Sequence, residues 1–188
     1  MRMTTRWLGT MLVGTTLAVA AIALAQATKP GAGAAPDRTA LVARGEYLVT
    51  VMGCNDCHTP GTLFGGPDFK RRLAGSELGW KGPWGVTFAR NLTPDQDTGL
   101  GYWSAKEIVT ALRTGVKPDG SVMKPPMPWP NLAILSDADA AAIAAYLMSL
   151  PRVQHEVPPA LAPGKPWTGA TLEFPTPGAW DAPAPAGK

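Results

Sequence analysis

Cys54-Asn55-Asp56-Cys57-His58 decides the reading of this 188-residue chain. Two cysteines separated by two residues, followed at once by a histidine, form the attachment pattern for c-type haem. The order matters chemically. Each thiol can add across a vinyl group of a porphyrin, and the histidine beside the second thioether is then forced under the iron as proximal ligand. Cys54 and Cys57 are the only cysteines and His58 is one of two histidines. Nothing remains for a second haem, a disulfide or a zinc site. A thioredoxin-like Cys-x-x-Cys needs a βαβ setting, which this Ala-, Gly- and Pro-rich chain does not offer. A zinc site needs further Cys or His ligands, and only His155 is left.

Working outward, the N-terminus agrees with that chemistry. Arg2 and Arg6 precede an uncharged apolar run over Leu8–Leu24, and Ala23-Leu24-Ala25 and Ala25-Gln26-Ala27 both fit a small-x-small cleavage site. The pattern is that of a secretory signal peptide over residues 1–27. Haem is attached covalently outside the bacterial cytoplasmic membrane, so a periplasmic location is expected. An uncleaved anchor is the alternative, since Trp7–Ala25 has borderline length for a span. Membrane contact is expected only in that case. Loss of Arg2 and Arg6 takes the 17 basic residues to 15, against 14 acidic ones. Two haem propionates would bring the balance to neutral or slightly acidic, so the basic pI of the whole chain does not point to nucleic acid. Lys70-Arg71-Arg72 is the one dense basic patch, read as a solvated loop, with partner docking the alternative.

Residues 28–36 read as an Ala/Gly/Pro linker, residues 37–151 as the folded domain, and residues 152–188 as a Pro-rich extension that either wraps the domain or stays free. Three helices carry clear punctuation. Asp37 caps a helix over Arg38–Met52, with Leu41, Leu48 and Val51 or Met52 on one face, and Gly53 stops it. Ser104 and Glu107 form a capping box for Ala105–Thr114, ended by Gly115. Ser136 caps Asp137–Leu150, whose apolar face is Ala140, Ile143, Ala144 and Leu147, and Pro151 closes it. No convincing alternating strand lies between them, though Gly85–Phe88 has the character to pair locally. A loop-rich domain of about 115 residues buries little core of its own. A large apolar porphyrin would supply the missing interior.

The iron needs a second axial ligand. Met52 is too near Cys54 to reach the opposite face, Met148 reads as a packing residue late in the last helix, and Met123 sits in a less constrained loop. Met127 stands in Pro125-Pro126-Met127-Pro128-Trp129-Pro130. Prolines fix φ, so a soft thioether can be held at the iron, and His/Met ligation is an established c-type arrangement. The competing reading is a methionine packed in a Pro-rich turn. His155, in the polar tail, is the weaker candidate.

Gly45-Glu46-Tyr47-Leu48, Cys54–His58, Asn91-Leu92-Thr93-Pro94-Asp95, Thr98–Gly101, Trp103-Ser104, Pro126-Met127-Pro128 and Ala145-Tyr146-Leu147 together resemble the class I c-type cytochromes. They are most similar to the haem domains of cytochrome subunits of periplasmic alcohol, aldehyde and gluconate dehydrogenases. The resemblance covers most of residues 37–151. It implies an all-α fold of helices and loops wrapped around one covalent haem c, with Met127 as distal ligand and the first and last helices crossing near Gly45 against Tyr146 and Leu147. It also implies that Asn91–Gly101 is a loop beside the haem, with Asn91 or Trp103 hydrogen-bonding near a propionate. Those subunits often carry three haem motifs, whereas this chain has one.

Asp95-x-Asp97-x-Gly99 hints at a calcium loop, but Lys106 stands where an EF-hand needs a bidentate acid. The asparagine sequon at Asn91 reads as idle in a bacterial chain. The expectation is therefore a mono-haem electron carrier, not itself an enzyme, with Cys54, Cys57, His58 and Met127 binding the haem. It would pass electrons from a periplasmic dehydrogenase to a respiratory-chain acceptor. A haem-based sensor or enzyme with an open iron site is the rival, separated from the carrier by a distal ligand. A thiol oxidoreductase is the third, and free thiols in the mature protein would favour it.

Overall fold

The computed structural model describes residues 37–176. The expected signal peptide and linker, and the end of the extension, lie outside the described residues. Five helices occur in the order α1 (Arg38–Val51), α2 (Cys54–His58), α3 (Ala105–Thr114), α4 (Trp129–Leu132) and α5 (Asp137–Ser149). Three strands, β1 (Gly79–Gly82), β2 (Gly85–Phe88) and β3 (Thr171–Glu173), form one small sheet. The described fold is therefore not purely all-α.

The long helices begin where their caps are. The Asp37 carboxylate accepts from the Thr39 amide. Ser104 and Glu107 make the reciprocal bonds of a capping box, and Ser136 accepts from the Asp139 amide. Each cap satisfies a backbone N–H that the first helical turn leaves without a partner. Helices α1 and α5 cross at Gly45, where an added Cβ would run into the Ala142 carbonyl and lie 2.6 Å from the Tyr146 Cβ. The crossing anchors a core of Leu48, Val49, Leu73, Ile108, Ala142, Ile143, Ala144, Tyr146 and Leu147. The small alanines of α5 let its backbone approach α1 closely. Met52, not Val51, continues the inward stripe: Val51 is 58% exposed, while Met52 packs on the core. Positions 41, 45, 48 and 52 follow the helical repeat of alternating four and three, and Val51 falls beside it. Met148, expected to pack, is 43% exposed.

Between α2 and α3 the chain forms a β-hairpin. β1 pairs antiparallel with β2, Trp80 facing Thr87. The chain after α5 returns to this hairpin. Leu161 bridges Val86, and β3 adds to β1 in parallel, Trp80 opposite Leu172. A second apolar cluster of Val86, Phe88 and Val157, with Leu161 and Trp167 against it, results. The described part of the extension is thus wrapped on the domain.

Candidate haem-attachment site

Helix α2 is a single turn that brings Cys54, Cys57 and His58 together. Gly53 makes this possible. Its φ of 69° lies in the left-handed region, where a side chain is strained, so the chain can leave α1 and start α2 at once. The two cysteines are not joined in a disulfide, and both are half-buried. Burial pushes the Cys54 thiol up to about 11, and raises that of Cys57 with help from the Asp56 carboxylate.

His58 is buried and its ring is fixed. Nδ1 lies 2.7 Å from the Arg90 carbonyl oxygen, and a carbonyl can only accept, so Nδ1 carries the proton. Among the described residues Nε2 has no hydrogen-bond partner. Burial holds the imidazole below its ordinary pKa, against the opposing pull of the Arg90 carbonyl. A neutral imidazole with one nitrogen tied to a carbonyl and the other carrying a free lone pair is the form that binds a metal. The backbone of His58 is held as well, its carbonyl accepting from the Gly75 amide at 2.8 Å.

The loop over that carbonyl is strained. Leu73 is fully buried at a φ of 59°. For a non-glycine residue this costs on the order of 1 kcal/mol or more. Its amide donates to the Thr59 hydroxyl at 2.9 Å and its carbonyl accepts from Leu92 at 2.8 Å. Thr59, Leu73, Gly75 and Arg90 thus frame His58. None is legible in the sequence, because three of them act through backbone atoms that leave no mark there.

The other expected residues fall as follows. Met127 lies half-buried in the turn between α3 and α4, with its amide donating to Lys124 at 3.3 Å. No hydrogen bond among the described residues joins that turn to α2. Met123 is also half-buried and donates its amide to Gly115 at 2.7 Å. His155 is not a tail residue. Its Nδ1 lies 2.8 Å from the Ala74 carbonyl and its Nε2 lies 2.7 Å from a Glu77 carboxylate oxygen, so both nitrogens are engaged in structure. Asn91 is not aimed at a ligand either. Its amide nitrogen donates to Thr98 and the Val153 carbonyl, and its oxygen accepts from the amide and hydroxyl of Thr93. With its side-chain donors used on Thr98 and Val153, the Asn91 side chain has none left for a propionate. Trp103 packs on the main core. Arg71 is ion-paired with Asp68 and Glu77 and Arg72 lies 3.7 Å from Glu46, so the basic patch is largely neutralised by its neighbours.

Known proteins carry related sequences. The family model described as Cytochrome c matches residues 42–151. The chain is 37% identical over 129 residues to the cytochrome c subunit of the quinone alcohol dehydrogenase of Gluconobacter oxydans, covering 69% of this chain and 25% of that protein. It is 37% identical over 129 residues to the gluconate 2-dehydrogenase cytochrome c subunit of Pantoea cypripedii, covering 68% of this chain and 27% of that protein. It is 31% identical over 122 residues to the fructose dehydrogenase cytochrome subunit of Gluconobacter japonicus, covering 65% of this chain and 22% of that protein. The chain therefore spans about a quarter of the length of these relatives.

Proposed function

The chain belongs to the cytochrome c family, and from that premise we propose that it is a mono-haem carrier passing single electrons between periplasmic partners. The donor would be a dehydrogenase and the acceptor a component of the respiratory chain. The names of the relatives, cytochrome subunits of alcohol, gluconate and fructose dehydrogenases, support the donor class. The observation that carries the reading is the state of His58: buried, neutral, its Nδ1 bound to the Arg90 carbonyl and its Nε2 free.

The residues fit haem c. Cys54 and Cys57 supply two thiols from one helical turn, and His58 Nε2 would supply the proximal ligand. Met127 would supply the distal one. Bound haem contributes reversible one-electron chemistry. What the protein contributes is closure. Held by the His58 imidazole and the Met127 thioether, the metal would have no position open to water or small ligands. The Arg90 carbonyl fixes the tautomer and the ring plane, and makes the imidazole a stronger donor. The thioether would favour the reduced state. This arrangement suits a carrier, which gains nothing from an open coordination site.

The test is spectroscopic. Haem should remain on the chain in a denaturing gel, and Cys54→Ser with Cys57→Ser should abolish the haem stain. The oxidised wild type should be six-coordinate and low-spin, with a sulfur-to-iron charge-transfer band. Met127→Ala should lose that band, admit carbon monoxide and lower the potential, while Met123→Ala and Met148→Ala keep it. A high-spin wild type that binds carbon monoxide readily would sink the carrier and promote a sensor or enzyme. A band lost only in Met123→Ala would move the ligand by four residues and leave the function standing.

A further inference from the structure

The turn that bears Met127 is almost without donors of its own. Pro125, Pro126, Pro128 and Pro130 have no N–H. From Pro125 to Pro128 only Met127 carries an amide hydrogen, and it is used locally on Lys124. Such a segment can be fastened from outside only through its carbonyl groups or by side-chain packing.

Among the described residues, one side-chain donor reaches it. The Thr87 hydroxyl lies 2.7 Å from the Pro125 carbonyl, two residues before Met127 in sequence and 38 residues after Thr87. Thr87 is 9% exposed, in the middle of β2. Its position is set by pairing with Trp80 on β1 and, one residue earlier, by the Val86–Leu161 bridge. The hydroxyl also lies 3.4 Å from the Trp80 carbonyl. A single O–H donates to one acceptor at a time, and the shorter, better placed contact is Pro125. Packing adds a wall. Trp84 and Phe174, with ring centroids 5.5 Å apart, line a cleft of about 410 Å³ with Pro125, Pro126 and Pro175. Just after the turn, Trp129 lies over Gly115.

We propose that Thr87 is the positioning residue for Met127: its hydroxyl ties the Pro125 carbonyl to the sheet and so fixes the turn that presents the thioether. The proposal rests on Met127 being the distal ligand. A thioether binds iron weakly, so its occupancy depends on how firmly the protein holds it in place. Weak first ligands are held by the hydrogen bonds behind them. In Thr87→Val the shape is kept and the donor lost.

The experiment uses the haem-loaded protein. The charge-transfer band of the oxidised form and the affinity for added imidazole are read for wild type, Thr87→Val, Thr87→Ala and Thr87→Ser. Haem staining and far-ultraviolet circular dichroism are recorded alongside. Loss of one hydrogen bond should weaken the band and tighten imidazole binding about five- to tenfold in the Val and Ala variants. Thr87→Ser should behave as wild type. Wild-type behaviour in the Val or Ala variant overturns the proposal. So does a Ser variant that fails like Val, because a retained hydroxyl would then not suffice and the fit of the whole side chain would carry the effect. If Thr87→Val does not load haem, Ala and Ser decide the question by the same criteria. A wild type without the band removes Met127 as ligand and this role with it, whereas a wild-type band indifferent to Thr87 removes only the role of Thr87.

Discussion

His58 and Cys54 meet burial in opposite ways. Burial favours the neutral form of both. For the imidazole that form is the competent one, since the lone pair on Nε2 is what binds metal. For the thiol it is the inert one, since the thiolate is the nucleophile. The Cys54 value of about 11 therefore means that the haem-free chain holds its thiol protonated at neutral pH. The expected outcome is that alkylation of Cys54 in the folded, haem-free protein, followed by mass spectrometry, keeps accelerating with pH up to about 11. A rate already level by about pH 9 would show that Cys54 is not in this environment and would favour the thiol oxidoreductase.

At the scale of elements, the α1–α5 crossing is the contact with least slack. Gly45→Ala adds a methyl where the Ala142 backbone and the Tyr146 Cβ already stand. Helix propensity favours alanine by about 1 kcal/mol, and overpacking opposes it by more. The net loss should be about 2 kcal/mol, read from the urea midpoint. An unchanged midpoint would mean that the helices are not so close. This crossing is expected from the resemblance to class I cytochromes, whereas the caps at Asp37, Ser104 and Ser136 are legible in the sequence itself, because each is a local signal of a few residues. The sheet is not. β1 is Gly-Trp-Lys-Gly and carries no alternation, and its second neighbour lies 92 residues on, as the Lys81–Glu173 bond shows. Only Gly85–Phe88 has strand character of its own. Helix α2 is hidden because the cysteine motif advertises its chemistry and not its backbone.

Over the whole molecule, the segment after α5 is fastened chiefly by residues that look featureless in the sequence. Val153 is bound by Asn91 and Thr93, His155 by Ala74 and Glu77, and the Val157 and Pro158 carbonyls by the Arg90 guanidinium, each at 2.9 Å. Proline content rules out a helix there but cannot say where the chain will lie. The Glu77 carboxyl sits below the usual carboxylate range: burial opposes the shift, and the His155 hydrogen bond and Arg71 charge outweigh it. A carboxyl depressed in the folded state stabilises above its unfolded pKa, and loses that contribution as pH falls through the folded one. Glu77 is 48% exposed, so the effect is small. Glu77→Gln should lower the melting midpoint by about 2–4 °C at pH 7 and by less at pH 3. An equal drop at both values would assign the loss to packing.

Arg90 is where the last of these fastenings meets the site. Its carbonyl takes the proton side of His58, and its guanidinium holds residues 157 and 158. One arginine thus serves two ends of the chain: its main chain holds the histidine ring, and its side chain holds a segment that lies more than sixty residues further on. The histidine and the stretch after α5 share a single anchor, so a change that shifts one is felt by the other.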